Sequence, residues 1–355
     1  MSAPSEPATT SAAPCHDSLR VAVTGVHTHL GRTLLAALGA HPACAAILAL
    51  DVKPPDAAGP KIRYRRLDLT DPAADDLAAE LLRDEAIDTV VHCAFLAFPS
   101  HVRSWAHELE AIGSLYLMNA VAEVAQAAGA SARLRRFILC SSTAVYGAHP
   151  SNPAFLSESA PLRGVRASRW VSDRVTVERE LERLRRDCPH LVATSLRFGM
   201  TVGPTVRNFY TKLLRPAVVP TVMGYDPLVQ FLHEDDATAA LLHTVLGDHP
   251  GTFNIVGDGT LYWSDVLKHG GKLPLPVPHL LGYPAATALF NLELSVVPGP
   301  FLDYFRYAWV ADGRAMHARL GFHPRHTSRE AIMSFFAALD GDAARAPSPA
   351  PEARP

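Results

Sequence analysis

The chain has 355 residues, 48% of them hydrophobic and 19% charged, with a formal net charge of −2. That length allows a large core and two lobes, and the balance is that of a globular protein. A charge so close to zero gives no electrostatic footprint for nucleic acid or for an anionic membrane surface, so a small molecule is the expected partner.

The first 17 residues lack the basic and apolar regions of a signal peptide and read as a disordered leader. LRVAVTG (19–25) then reads as a buried strand ending in glycine, and LGRTLLAALGAH (30–41) as a helix closed by Gly39. AAILALD (45–51) and KIRYRRLDL (61–69) follow as strands, DDLAAELLRD (75–84) as a helix, and IDTVVHCAF (87–95) as a strand. A long helical stretch covers 103–129, followed by the strand RRFILCSS (135–142), a helix over 168–186 and the strand LVATSLRF (191–198). Strands alternating with helices predict an α/β fold, a Rossmann-like doubly wound parallel sheet over 18–198.

After residue 198 proline and glycine become frequent, which marks a smaller C-terminal substrate lobe over 199–340, with 230–250 returning to the first domain. Within it, QFLHEDDATAALLHTVL (230–246) reads as a strand entering a helix, with Asp235 or Asp236 as its cap, and GTFNIVGDG (251–259) as another strand. The segment 273–305 is the most apolar in the chain, and Pro274, Pro276, Pro278 and Pro284 deny it an uninterrupted membrane-spanning helix. Burial as the wall of an apolar pocket is the expected arrangement; the alternative is a peripheral contact with a membrane or a partner. A Pro/Ala-rich tail over 341–355 reads as disordered.

Five cysteines, Cys15, Cys44, Cys93, Cys140 and Cys188, are scattered without a CxxC pair, as expected of small buried hydrophobes in a reducing cytoplasmic setting.

The first strand runs into TGVHTHLG (24–31). Gly25 permits a tight turn, the opening helix offers the free N–H groups of His29 and Leu30 to a pyrophosphate, and Gly31 lets helix and strand pack closely. Asp51, at the end of the second strand, is placed to accept from the adenosine ribose hydroxyls and to repel a 2′-phosphate, which favours NAD over NADP. Thr28 stands where a middle glycine is usual; its Cβ crowds the phosphates, although its hydroxyl can donate to one. His27 and His29 flank it without a neighbouring carboxylate or thiol, so no metal is expected there.

Together with RLDLTD (66–71), VVHCAF (90–95), SSTAVYG (141–147), LRFGMTVGP (196–204), FLHEDDATAAL (231–241) and FNIVGDG (253–259), this turn makes the chain resemble the extended short-chain dehydrogenase/reductases, the NAD-dependent epimerase/dehydratase group, over about residues 19–335. The resemblance implies Asp68 and Leu69 beside the adenine, and Cys93, Ala94 and Phe95 along the cofactor groove. It implies Ser142 as the hydroxyl that holds the reacting oxygen. It also implies homodimers through a four-helix contact, for which the helices at 103–129 and 168–186 are the candidates.

The same family opens its long helix with Tyr-x-x-x-Lys, the tyrosine acting as acid–base and the lysine holding the nicotinamide ribose. This chain offers Trp170 and Arg174 instead. An indole donates a hydrogen bond but has no proton equilibrium near neutrality, whereas Arg174 retains the charge and can donate to ribose hydroxyls. Tyr146 is the nearby phenol able to take over. Glu110 and Met200 also stand where asparagines are usual in relatives, and losing those amide contacts points to a less polar substrate. Two functions follow as expectations: an oxidoreductase or epimerase of atypical mechanism, or a non-catalytic NAD(P)-binding sensor or scaffold.

Overall fold

The computed structural model describes residues 18–128, 133–164, 168–295 and 297–345; the leader and the end of the tail lie outside them. The elements run β1 (Leu19–Thr24), α1 (His29–Ala40), β2 (Cys44–Asp51), β3 (Ile62–Arg66), α2 (Ala74–Asp84), β4 (Thr89–His92), α3 (Arg103–His107), α4 (Gly113–Ala128), β5 (Arg136–Ser142), α5 (Arg169–Asp187) and β6 (Val192–Phe198). They continue with β7 (Met200–Val202), α6 (Phe209–Leu213), β8 (Val218–Val222), β9 (Leu228–Val229), β10 (Phe231–His233), α7 (Glu234–Val245), β11 (Gly251–Ile255), β12 (Leu261–Tyr262), α8 (Trp263–His269), β13 (Leu273–Val277), α9 (His279–Asn291) and α10 (Ser328–Arg345).

Seven strands form one parallel sheet in the order β11-β6-β5-β4-β1-β2-β3. Its central strands are apolar on both sides because helices cover both faces. Ala22, Val90, Phe137 and Leu139 pack with Leu117, Val121 and Leu181 of α4 and α5 on one face. Val21, Val23 and Ile138 pack with Leu34, Leu38 and Leu241 of α1 and α7 on the other. The order reverses between β1 and β4, and a crevice opens at the carboxyl ends of the strands there. An aromatic core of Phe209, Phe231, Trp263, Phe301, Tyr304 and Phe335 builds the C-terminal lobe.

Several local expectations need correction. Gly39 lies inside α1, which runs on to Ala40, and His41 closes it by donating to the Leu38 carbonyl. The helical stretch from 103 is interrupted by a π-helical turn at Glu108–Ile112. The chain returns to the large sheet beyond residue 250: β11 is its edge strand, and Met316, Leu320 and Phe322 join the same core. α10 runs past residue 340 to Arg345.

The cap of α7 is neither Asp235 nor Asp236. His233 Nδ1 accepts from the Asp235 N–H, while the Asp236 carboxylate accepts from the Arg325 and His326 amides at 3.0 and 2.9 Å. Nor is the apolar segment from 273 buried throughout. β13 pairs with β8 in a two-stranded ribbon, and only Gly282 and Phe290 of α9 are buried, so Leu280 and Leu281 are 77% and 65% exposed. A helix apolar on every side has nowhere to bury its second face when one neighbour covers it. Among the described residues no helix is long and apolar enough to cross a membrane.

Candidate active site

β1 and α1 build the amino end of the crevice. Gly25 sits at φ +69°, and a Cβ there would lie 2.5 Å from the Ala94 nitrogen, so the turn is pressed against the end of β4. A Cβ on Gly31 would collide with the Gly25 carbonyl. Thr28 needs no glycine, because its φ of −68° is ordinary extended backbone. Its hydroxyl donates to the Gly25 carbonyl at 2.8 Å and accepts from the Gly31 N–H at 3.0 Å. That hydroxyl is therefore the helix cap rather than a free donor, and the first-turn amides of His29 and Leu30 are left without an intrahelical partner. His29 Nε2 is also buried without a partner among the described residues. Burial holds its ring below the usual histidine range, opposed by the charge of Glu234.

A cavity of about 160 Å³ joins this turn to the carboxyl ends of β4, β5 and β6. Thr28, His29, Leu30, Cys93, Phe95, Ser142, Trp170 and Arg174 all line it. Cys93 and Cys140 meet in its wall with their sulfurs 3.3 Å apart. Asp51, Asp68, Leu69 and Ala94 lie outside this lining. Asp51 closes β2, with Oδ1 accepting from the Val52 N–H at 2.8 Å, and Asp68 Oδ1 accepts from the Thr70 amide and hydroxyl. Leu69 is buried where a side chain on Gly113 would strike it, and Ala94 is the residue against which Gly25 turns.

At the far end, Ser142 Oγ accepts from the Ala144 N–H at 3.2 Å and faces the cavity. Trp170 and Arg174 do lie on one face of α5, and both spend hydrogen bonds on the Leu96 carbonyl, at 3.2 and 2.8 Å. The Arg174 guanidinium lies between two rings, 4.8 Å from the Phe95 centroid and 4.8 Å from that of Trp170. It also donates to Glu110 Oε1 at 3.1 Å. Glu110 sits fully buried in the π-helical turn, accepts from the Leu96 N–H at 2.7 Å, and leaves Oε2 without a partner among the described residues. Burial pushes its carboxyl up to about 7, outweighing the attraction of Arg174. A π-turn that aims a buried acid at this point is the kind of local distortion that marks functional positions.

Tyr146 is not brought to the cavity. It is fully buried, donates to Asn254 Oδ1 at 2.6 Å and accepts from Arg197 at 2.8 Å, while Arg197 pairs with buried Glu178 at 2.9 Å. Burial pushes its phenol up to about 12. The phenol that does line the cavity is Tyr210 on α6, carried in from the C-terminal lobe. Nothing in the spacing around it points there; the Phe209 N–H bond to the Ala97 carbonyl and the Asn208 cap place it. Burial raises the Tyr210 phenol and the charge of Arg174 opposes this.

Trp170 also borders a second cavity of about 250 Å³, whose wall includes Phe290 of α9 together with Pro298 and Pro300. Among the described residues no group of three or more His, Cys, Asp or Glu is arranged to hold a metal.

Residues 21–256, more than half of the chain, match the NAD dependent epimerase/dehydratase family. The chain belongs to that family. Uncharacterized proteins of Mycobacterium tuberculosis and Mycobacterium bovis are 29% identical to it over 322 residues, covering 89% of this chain and 83% of theirs. Among solved structures the fold is shared with MoeE5 in complex with UDP-glucuronic acid and NAD (TM-score 0.66, 21% identity, 91% of this chain and 99% of that one). It is also shared with the dTDP-glucose 4,6-dehydratase of Bacillus anthracis in complex with NAD (TM-score 0.66, 13% identity, 92% and 98%). Likeness at this distance shows the fold, and the substrates of those proteins remain their own.

Proposed function

We propose that this chain is an NAD-dependent oxidoreductase or epimerase of atypical mechanism, acting on a small molecule less polar than a nucleotide sugar. The observation that carries the reading is that one crevice is lined both by the Thr28–Leu30 turn and by Ser142, Arg174 and Tyr210. The residues present fit the cofactor: His29 Nε2, without a partner among the described residues, the first-turn amides of His29 and Leu30 and the backbone pressed against Gly25 suit a diphosphate. Asp51 would take the adenosine ribose and disfavour NADP, Asp68 and Leu69 would flank the adenine, and Cys93, Ala94 and Phe95 would line the groove. NAD bound there supplies a hydride acceptor or donor.

What the protein contributes is position and a proton. Ser142 would hold the reacting oxygen. Trp170 cannot exchange a proton, and its N–H is engaged by Leu96. Tyr210, whose burial keeps it protonated at neutral pH, is the donor that remains in the crevice, with the fixed charge of Arg174 as its electrostatic neighbour. The second cavity beyond Trp170 offers Phe290, Pro298 and Pro300 to an apolar group and Arg103, Arg169 and Asp173 to a polar one, which suits an amphipathic substrate less polar than a nucleotide sugar. Four buried thiols, Cys44, Cys93, Cys140 and Cys188, suit a reducing, cytoplasmic compartment.

A second reading, a non-catalytic NAD sensor or scaffold, draws on one observation: both members of the replaced pair are tied to the Leu96 carbonyl. Absorbance of the reduced nicotinamide separates the two, with NADH and a panel of ketones running from UDP-4-keto sugars to aliphatic ketones. The enzyme reading expects turnover of apolar ketones that falls by roughly 10²–10⁴ in Tyr210→Phe. Turnover untouched by both Tyr210→Phe and Ser142→Ala defeats this assignment, and no turnover together with tight NADH binding favours the sensor.

A further inference from the structure

The exposed apolar surface of this chain is concentrated rather than scattered. Nine of the sixteen exposed large hydrophobic side chains among the described residues come from two short stretches, 218–223 and 273–294. Isolated exposed leucines are ordinary, whereas a contiguous group calls for something that covers it. These stretches form the β8–β13 ribbon and α9, which together enclose a cavity of about 290 Å³. Leu213, Val222, Leu275, Val277, Leu289 and Phe305 line it, and no Lys, Arg, Asp or Glu does. Its size is about twice that of the ~150 Å³ apolar cavity that takes a benzene ring. Leu275 and Leu289 belong both to its lining and to the exposed set, so the cavity opens on the apolar face itself.

Cations outnumber carboxylates around this face. Residues 204–225 carry Arg207, Lys212 and Arg215, and residues 266–292 carry Lys268 and Lys272, with no Asp or Glu in either stretch. Lys272 Nζ donates to the Arg215 carbonyl at 3.1 Å, which joins the two stretches along one edge. Lys212, Arg215 and Lys268 are exposed. The acidic groups flanking these stretches are Asp226, which accepts from the Ser264 amide and hydroxyl at the start of α8, Asp265 on α8, Glu293 beyond the end of α9, and Asp303, which accepts from the Tyr283 hydroxyl. The near-zero net charge of the whole molecule conceals this segregation. An apolar face with a protruding helix and a cationic edge has the composition of an interfacial anchor.

We infer that this chain docks on an anionic lipid bilayer through α9 and the β8–β13 ribbon, with exposed leucines entering the interface and one aliphatic lipid chain seated in the apolar cavity. Leu280 and Leu281 lead the insertion, while Lys268, Lys272 and Arg215 meet the headgroups. The cavity bordered by Phe290 of α9 and by Trp170, which also lines the crevice, lies next to this docking element.

Flotation of the full chain with vesicles of phosphatidylcholine alone, and of phosphatidylcholine with phosphatidylglycerol, tests this. The wild type is expected to float with the anionic vesicles and to stay behind with the neutral ones. Leu280→Asp with Leu281→Asp, both at exposed positions that leave folding intact by circular dichroism, is expected to abolish flotation. Lys268→Gln and Lys272→Gln are each expected to weaken it about fivefold. Ala286→Phe, which fills the cavity, is expected to weaken it several-fold; undiminished binding would remove the seated chain from the account. A wild type that never floats, or leucine variants that float as it does, overturns the docking. A wild-type dimer that the leucine variant splits, with no flotation, shows that a second copy covers the face instead.

Discussion

Glu110→Gln offers a quantitative test of how the crevice is built. The carboxyl is fully buried, one oxygen is held by Leu96 and Arg174, and the other has no partner among the described residues. Burial raises it from an ordinary 4.5 to about 7. The folded protein therefore holds this proton more tightly than the unfolded chain does. The stability that the neutral carboxyl contributes is fully present below pH 4.5 and is lost as pH rises through about 7. That rise corresponds to roughly 3 kcal/mol. Glutamine keeps an acceptor for the Leu96 N–H and never ionises, so the variant escapes this loss. Buried His92, between Thr24 and Ser114 and held down to about 3, works in the opposite sense: its contribution is present above 6.5 and is lost as pH falls toward 3. Because His92 is common to both proteins, the difference between wild type and variant isolates Glu110. Urea unfolding at pH 5 and pH 8, followed by tryptophan fluorescence, is expected to show the wild type losing about 3 kcal/mol more than Glu110→Gln between the two. Parallel pH dependences would refute the assignment of a buried, ionising carboxyl at this position.

Two further outcomes follow from the same geometry. Tyr146→Phe leaves Asn254 and Arg197 each short of a buried hydrogen bond, so it is expected to lower stability by roughly 1–3 kcal/mol in the same unfolding assay while leaving turnover unchanged; lost turnover in a variant of normal stability would restore Tyr146 to the chemistry. The double change Trp170→Tyr with Arg174→Lys is expected not to create activity on UDP-glucose, because buried Glu110 would still pair with the lysine and hold it away from a ribose. A nicotinamide absorbance change with UDP-glucose in that variant would show that the substrate pocket had been left intact.

The sheet was legible because strand and helix periods alternate cleanly from Leu19 to Phe198, and parallel strands buried on both faces appear as short apolar runs. The nucleotide turn was legible because glycine spacing is a local property. What escaped depends on tertiary context. The π-helical turn reads as uninterrupted helix, since its sequence ELEAI has no helix breaker, yet it delivers Glu110 to Leu96 and Arg174. Tyr146 is claimed by Arg197 and Asn254, which occupy successive neighbouring strands far away in sequence. Tyr210 arrives from the other lobe. The apolar run from 273 illustrates the opposite failure: hydropathy states how much apolar surface there is, not whether a neighbour covers it.

Calorimetric titration of the full chain with NAD and NADP tests the central claim, that the turn from Gly25 to Gly31 and the carboxylate of Asp51 form a working dinucleotide cradle. The account predicts saturable binding of NAD, much weaker binding of NADP, and loss of the NAD signal in Gly25→Ala, whose new methyl would press into the Ala94 backbone at 2.5 Å. Equal affinity for the two dinucleotides would contradict the role given to Asp51, and no heat with either would contradict the cradle itself.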